Sequence, residues 1–179
     1  MTTFHLVRHG QADYDLAESR RLIGGMRDLV PLTELGRGQA AQAAERLAAL
    51  PLQTIISSPM TRAMETAQII SLRLRLPVTV EFDLHEWLPD LSCSFDTRRF
   101  VSLQAEDLRL HSGEWPEGQA RPWEPLSRVR QRVQSVLERY AHLEHAAVVA
   151  HGMVISALTG KEVSTGEIVD YHLGGAVRR

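Results

Sequence analysis

Apolar residues along this chain come in short unbroken runs separated by stretches of helical period. Phe4-His5-Leu6-Val7 reads as a short buried strand. After Leu29-Val30-Pro31-Leu32, Thr33 stands where a helix cap belongs, and Leu35, Ala43, Leu47 and Leu50 give the following helix an apolar face that Pro51 ends. Thr54-Ile55-Ile56-Ser57-Ser58 is β-branched and short, hence a second strand, with Ser58 as cap and Pro59 at the first position of the next helix. Ala63, Ala67, Ile70 and Leu74 form that helix's stripe, Pro77 stops it, and residues 78–82 read as a third strand.

Periodicity fades from about 83 to 123, a span too long for an ordinary loop, which predicts a partly helical insertion over one end of a sheet. Pro125 restarts a helix whose apolar face is Val129, Val133, Val136, Leu137 and Tyr140, with Arg128, Arg130 and Arg132 expected in solvent. Ala146-Ala147-Val148-Val149-Ala150 is uniformly apolar, as central parallel strands are. A short helix through Ile155 and Leu158 and a last strand at 168–173 complete the pattern. Strands alternating with helices predict an α/β fold in three layers, a mostly parallel central sheet flanked by helices, as a single domain over 1–179 with a substrate-covering insertion at about 84–123.

Ligands in such sheets bind beyond the carboxyl ends of the strands. His9 lies past the first strand, Ser57-Ser58 past the second, Glu86 past the third and His151 past the fourth, so four connections should deliver polar groups to one edge. Arg62 falls in the first turn of a helix that starts at that edge. A cation there opposes the helix dipole, which calls for an anion nearby. Glu86, beside Trp87 and under the insertion, is the candidate proton donor. Taken singly, each His-Gly pair reads more readily as a strand-end histidine and Glu86 as a surface carboxylate; their convergence on one edge reverses that.

Composition narrows the classes. Net charge of −2 gives no general field for nucleic acid or an anionic membrane. Nineteen of the twenty cationic residues are arginine, the side chain suited to bidentate grips on phosphate. Cys93 is alone and without a basic neighbour, so it reads as an inert or partly buried thiol, and no disulfide or cysteine zinc site can form. Without a signal-like N-terminus or a spanning apolar run, the expected location is cytoplasmic. His142, Glu144 and His145 have metal-like spacing but belong to a helix end, where histidine is favoured by the dipole. Trp115 and Trp123 are expected to pack the insertion.

Four segments in order carry a resemblance: "LVRHG", "PLTELGRGQA", "IISSPMTRAMETA" and "VVAHGMVISAL". The chain resembles branch 1 of the histidine phosphatase superfamily, the phosphoglycerate mutase-like group, through nearly all its length except 87–123. The resemblance implies a phosphomonoesterase in which His9 becomes phosphohistidine. Arg8, Arg62 and His151 would form the phosphate pocket, and Glu86 would protonate the leaving oxygen and then deprotonate water. It implies no cofactor and no metal, because arginine and histidine neutralise the phosphoryl charge.

The chain departs from the family pattern after Gly10, where Gln11-Ala12 replace an acidic and a hydroxyl residue and Asp15 takes the place of an asparagine. Gln11, Asp15 and Trp87 are the expected substrate wall. "WLPDLSCSFD" replaces the family's Gly-x-Trp-Glu-Gly stretch. The missing mutase-type insertion pattern and the chain's short length favour a phosphatase over a mutase-type phosphotransferase. A non-catalytic phosphate-binding module, motivated by Asp15, and a metallohydrolase built on His9, Glu86 and His151 are the competing readings. The substrate implied is a small phosphorylated metabolite or a phosphoprotein; the pattern leaves oligomeric state open.

Overall fold

The computed structural model describes residues 1–94 and 98–173. Its sheet holds β1 (Thr3–Arg8), β2 (Thr54–Ser57), β3 (Val78–Val80), β4 (His145–Ala150) and β5 (Ile168–His172) in the order β3-β2-β4-β1-β5. The first four run parallel, and β5 closes the β1 edge antiparallel, with Thr3 opposite His172. The helices are α1 (Tyr14–Ser19), α2 (Glu34–Leu47), α3 (Thr61–Leu74), α4 (Arg98–Leu110), α5 (Leu126–Arg139) and α6 (Gly152–Thr159), with single 3-10 turns at Gly24–Leu29 and Phe82–Leu84.

The inner strands are apolar throughout because both faces are covered. Val7, Ile55, Ala147 and Val149 pack against Ala43, Ala44, Leu47, Ala63, Ala67 and Ile70 of α2 and α3. Their neighbours Phe4, Leu6, Ile56, Ala146 and Val148 face the opposite way, onto α5, α6 and the insertion. The result is the three-layer α/β arrangement that the alternation of elements implies, with strand carboxyl ends gathered on one edge.

Several expectations shift in detail. Thr33 does cap α2, accepting from Gly36 N–H. Leu35, however, is 59% exposed, because the buried face of α2 is the small-residue stripe Ala40, Ala43, Ala44 and Leu47. The third strand stops at Val80, and a 3-10 turn follows. Helix α3 starts at Thr61 rather than Pro59, and Ser58 is not its cap, because its hydroxyl is drawn to His151.

Arg132 is not in solvent: the insertion folds over it, and its side chain is only 11% exposed. Arg130, exposed, still donates to Ala157 O. Cys93 is exposed, in a loop stretched over Gly24. Trp123 is fully buried, and Trp115 donates its indole N–H to Trp123 O. His145 is stacked against His5, whose Nδ1 pairs with Asp170 at 2.6 Å. Among the described residues no cluster of three metal-ligating side chains occurs, and no helix is long and apolar enough to cross a membrane.

Candidate active site

The site is assembled by the ends of three central strands. His9 N–H donates to Ala150 O, which ties the residue after β1 to the end of β4. Ser58 N–H donates to Val149 O, which brings the end of β2 to the same place. Gly10 makes the turn possible: a Cβ there would lie 2.2 Å from Gly36 O, so the loop and the start of α2 meet backbone to backbone. Gly10 N–H is taken by Thr66 Oγ1, one helical turn beyond Arg62.

His9 is buried, with 5% exposure. Its Nδ1 lies 2.6 Å from Gly10 O. A carbonyl can only accept, so Nδ1 carries the ring proton and Nε2 keeps a lone pair. Arg62 Nε–H donates to that Nε2 at 3.1 Å. Burial, with the Arg62 and Arg8 cations behind it, lowers the His9 pKa to about 3, so the ring is neutral near pH 7.

Arg62 is 2% exposed and donates from each of its three nitrogens. Besides His9 it donates from Nη1 to Asp28 Oδ1 at 3.0 Å and from Nη2 to Met60 Sδ at 3.2 Å. It also lies over the Tyr14 ring, 5.9 Å from the centroid. The anion that a cation at a helix N-terminus calls for is therefore Asp28, from the 3-10 turn at 24–29. Burial pushes the Tyr14 phenol pKa up.

His151 is completely buried and meets His9 edge-on, with ring centroids 5.1 Å apart. Its Nε2 lies 2.7 Å from Ser58 Oγ. That hydroxyl also accepts Met60 N–H, at 3.3 Å. Burial holds the His151 pKa well below its ordinary value. His151 Nδ1 and Arg8 Nε are buried without a hydrogen-bond partner. Buried polar atoms of this kind call for an explanation, and a bound anion supplies one for Arg8 Nε and, with the ring proton on Nδ1, for His151. Arg8 is steered by Nη1 to Val163 O at 2.6 Å and lies against Gly152, where a Cβ would come within 3.3 Å of its Cζ.

Glu86 enters from beyond β3. Its carboxylate accepts the N–H groups of Trp87, at 2.8 Å, and of Met153 in the first turn of α6. Desolvation outweighs those bonds and the nearby Arg62, and its pKa is raised. His9, Arg8, Arg62, His151 and Glu86 are thus brought to one edge.

The expected wall is not. Asp15 is 99% exposed and turned to Arg98, so its charge does not confront a phosphate. Gln11 is exposed and accepts the Thr33 hydroxyl. Trp87 is buried in the core, its indole N–H held by Glu124 O at 2.7 Å. Asp28, Tyr14 and Met60 escaped the sequence reading. Only Arg62's misplaced charge hinted at the first; Tyr14 lies in aperiodic sequence, and a methionine beside Arg62 carries no polar signal of its own.

The sequence model of the histidine phosphatase superfamily (branch 1) matches residues 4–167. The chain belongs to this family. A histidine phosphatase relative from Bacillus subtilis, named "Uncharacterized phosphatase PhoE", is 29% identical over 93% of this chain and 80% of its own length. "Probable phosphoglycerate mutase GpmB" of Proteus mirabilis is 32% identical over 88% and 73%. Among solved structures, Bacillus stearothermophilus YhfR aligns with a TM-score of 0.73 at 26% identity, covering 98% of this chain and 93% of that one. A mycobacterial glucosyl-3-phosphoglycerate phosphatase, solved with VO3, aligns at 0.72 with 25% identity over 95% and 90%.

Proposed function

We propose that this protein is a metal-independent phosphomonoesterase that works through a phosphohistidine on His9. The observation that carries this reading is the state of His9: neutral, with Nδ1–H fixed on Gly10 O and Nε2 facing Arg62. An incoming phosphate competes for Arg62, draws the guanidinium onto its oxygens and frees the Nε2 lone pair. Arg8 Nε and His151 Nδ1–H complete the cradle, and their bonds shorten as charge builds on the equatorial oxygens.

Nε2 attacks phosphorus in line. The N–P bond forms as the P–O bond breaks, and the Glu86 proton passes to the leaving oxygen. Glu86, now a carboxylate, takes a proton from the water that attacks phosphohistidine. The N–P bond breaks, inorganic phosphate leaves, and His9 is restored. The alcohol released is that of a small phosphorylated metabolite, the class named for the mycobacterial relative.

The chain would act as one domain, with residues 84–123 as the cover. The close approach of Cys93 to the turn that carries Asp28, where a Cβ on Gly24 would lie 2.4 Å from Cys93 O, supports that reading. A mutase reading shares the first half-reaction and draws support from the Proteus relative's name. It differs in discharging phosphohistidine to an alcohol.

The test is turnover of 4-nitrophenyl phosphate in chelator by wild type and His9→Ala, with acid-labile phosphoenzyme measured after rapid quench. Turnover by the wild type alone, through a phosphoenzyme that water discharges, supports the reading. Turnover surviving in His9→Ala, or abolished by chelator, overturns it. A phosphoenzyme stable in water but discharged by a phosphoglycerate selects the mutase.

A further inference from the structure

Two buried charges sit behind Glu86, outside the group that would touch substrate. Arg132 lies on α5, locked into the core by Val129, Val133 and Val136. Glu124 directly follows the insertion, and its side chain is 2% exposed. They pair through two bonds, Nε to Oε1 at 2.9 Å and Nη2 to Oε2 at 3.0 Å.

The rest of the guanidinium is spent on one short piece of backbone. Nη1 donates to Asp83 O and His85 O, and Nη2 to Glu86 O. Glu124 grips the other side of the same piece. Its O accepts the Trp87 indole, its N–H donates to Leu88 O, and Oε2 receives Leu88 N–H. Every residue from 85 to 88 is therefore bonded to Arg132 or Glu124.

A buried ion pair is a poor source of stability, since desolvation offsets most of its attraction. It does supply direction: a planar fork can hold several carbonyls at once, which a methyl cannot. Displacement of a proton donor by about 1 Å can cost about a hundredfold in rate.

We propose that Arg132, clamped by Glu124, is a positioning residue that sets where the Glu86 carboxyl stands relative to the leaving oxygen. This rests on Glu86 being the proton donor in the reaction proposed above. The pair does not touch substrate, so its effect falls on the two proton transfers of Glu86, and only the one to the leaving oxygen depends on the ester. That step matters for a poor leaving group and little for a good one.

The experiment compares phenyl phosphate with 4-nitrophenyl phosphate, which share a shape and differ in leaving-group basicity. Removing Arg132 alone would strand a buried carboxylate, so the variant is the double replacement Arg132→Met with Glu124→Gln. Arg132→Lys, which keeps the charge, carries the same test if the double variant does not fold.

The expected result is a drop in kcat/KM, which reports the phosphorylation step alone, of about ten- to a hundredfold on phenyl phosphate, part of the usual general-acid contribution. The drop on 4-nitrophenyl phosphate is several times smaller, and competitive inhibition by inorganic phosphate is unchanged. Arg132→Lys falls between wild type and the double variant. Equal losses on the two esters, or none, in a folded variant overturn the proposal. Glu86→Gln, run beside them, separates the failures. If it shows no leaving-group dependence while His9→Ala is dead, Glu86 is not the donor and the positioning role falls with it. If it does while the Arg132 variants do not, only the positioning role fails.

Discussion

Arg62 donates to the one nitrogen of His9 that is free to react, and it does so from a position where its other arm is already held by Asp28. Asp28 therefore stands in for the phosphate oxygens that would otherwise claim Nη1. The variant Asp28→Asn keeps the shape and removes the competing charge. Inhibition by inorganic phosphate should become about tenfold tighter, equivalent to ~1.4 kcal/mol. An unchanged or weaker inhibition constant would show that Asp28 helps to build the pocket rather than competing for it.

The buried neutral histidine also makes stability depend on pH. The unfolded His9 binds a proton below its ordinary pKa of 6.5, while the folded one resists until about 3. Between those values the unfolded chain holds more protons, so stability falls as pH drops. From pH 7.5 to pH 5 this one residue should cost about 2 kcal/mol. Urea melts at both pH values check it: His9→Asn should lose less stability than wild type over that interval. Equal losses would mean that the folded ring takes up its proton near the ordinary pKa.

Glu86 has the opposite sign. Its pKa is raised by burial, so the acid form survives above the ordinary carboxyl range and is lost as pH climbs through the raised value. The kcat/KM profile should show an alkaline limb from this group. Glu86→Gln should remove that limb and lower the rate on phenyl phosphate by about 10²–10⁴. A limb that persists in Glu86→Gln belongs to another group.

Gly36 tests the packing under the loop. A Cβ there would lie 2.2 Å from Gln11 O, and backbone is on both sides of the contact. Gly36→Ala should cost about 1–3 kcal/mol in denaturant unfolding. It should lower activity as well, because relief of the clash moves the residues next to His9. Unaltered stability and rate would mean that α2 and the loop can separate freely.

How far the sequence could be read follows from what each residue depends on. His9 and His151 were legible because uniformly apolar strands announce their own ends, and a parallel sheet puts those ends together. Arg62 was legible for the same reason, as the start of the helix after β2. Asp28 was not, since it lies in a stretch without period, and only a charge argument about Arg62 pointed to some anion. Arg132 misled: its helix face looks outward until Asp83, His85, Glu86 and Glu124 close on it. Asp15 was read as facing the site, whereas one turn of α1 directs it to Arg98. The family resemblance supplied the chemistry of His9; spacing alone did not.

The peptide groups that hold His9 and Ser58 belong to the sheet itself, through Ala150 and Val149. Their amide hydrogens should therefore exchange with solvent only when the whole molecule opens. Residues 85–88 are held outside the sheet instead, by the Arg132 side chain and by Glu124, and can be released without disturbing a strand. On warming, the half of the site that delivers the proton should let go first, leaving a protein that still grips phosphate and no longer turns it over.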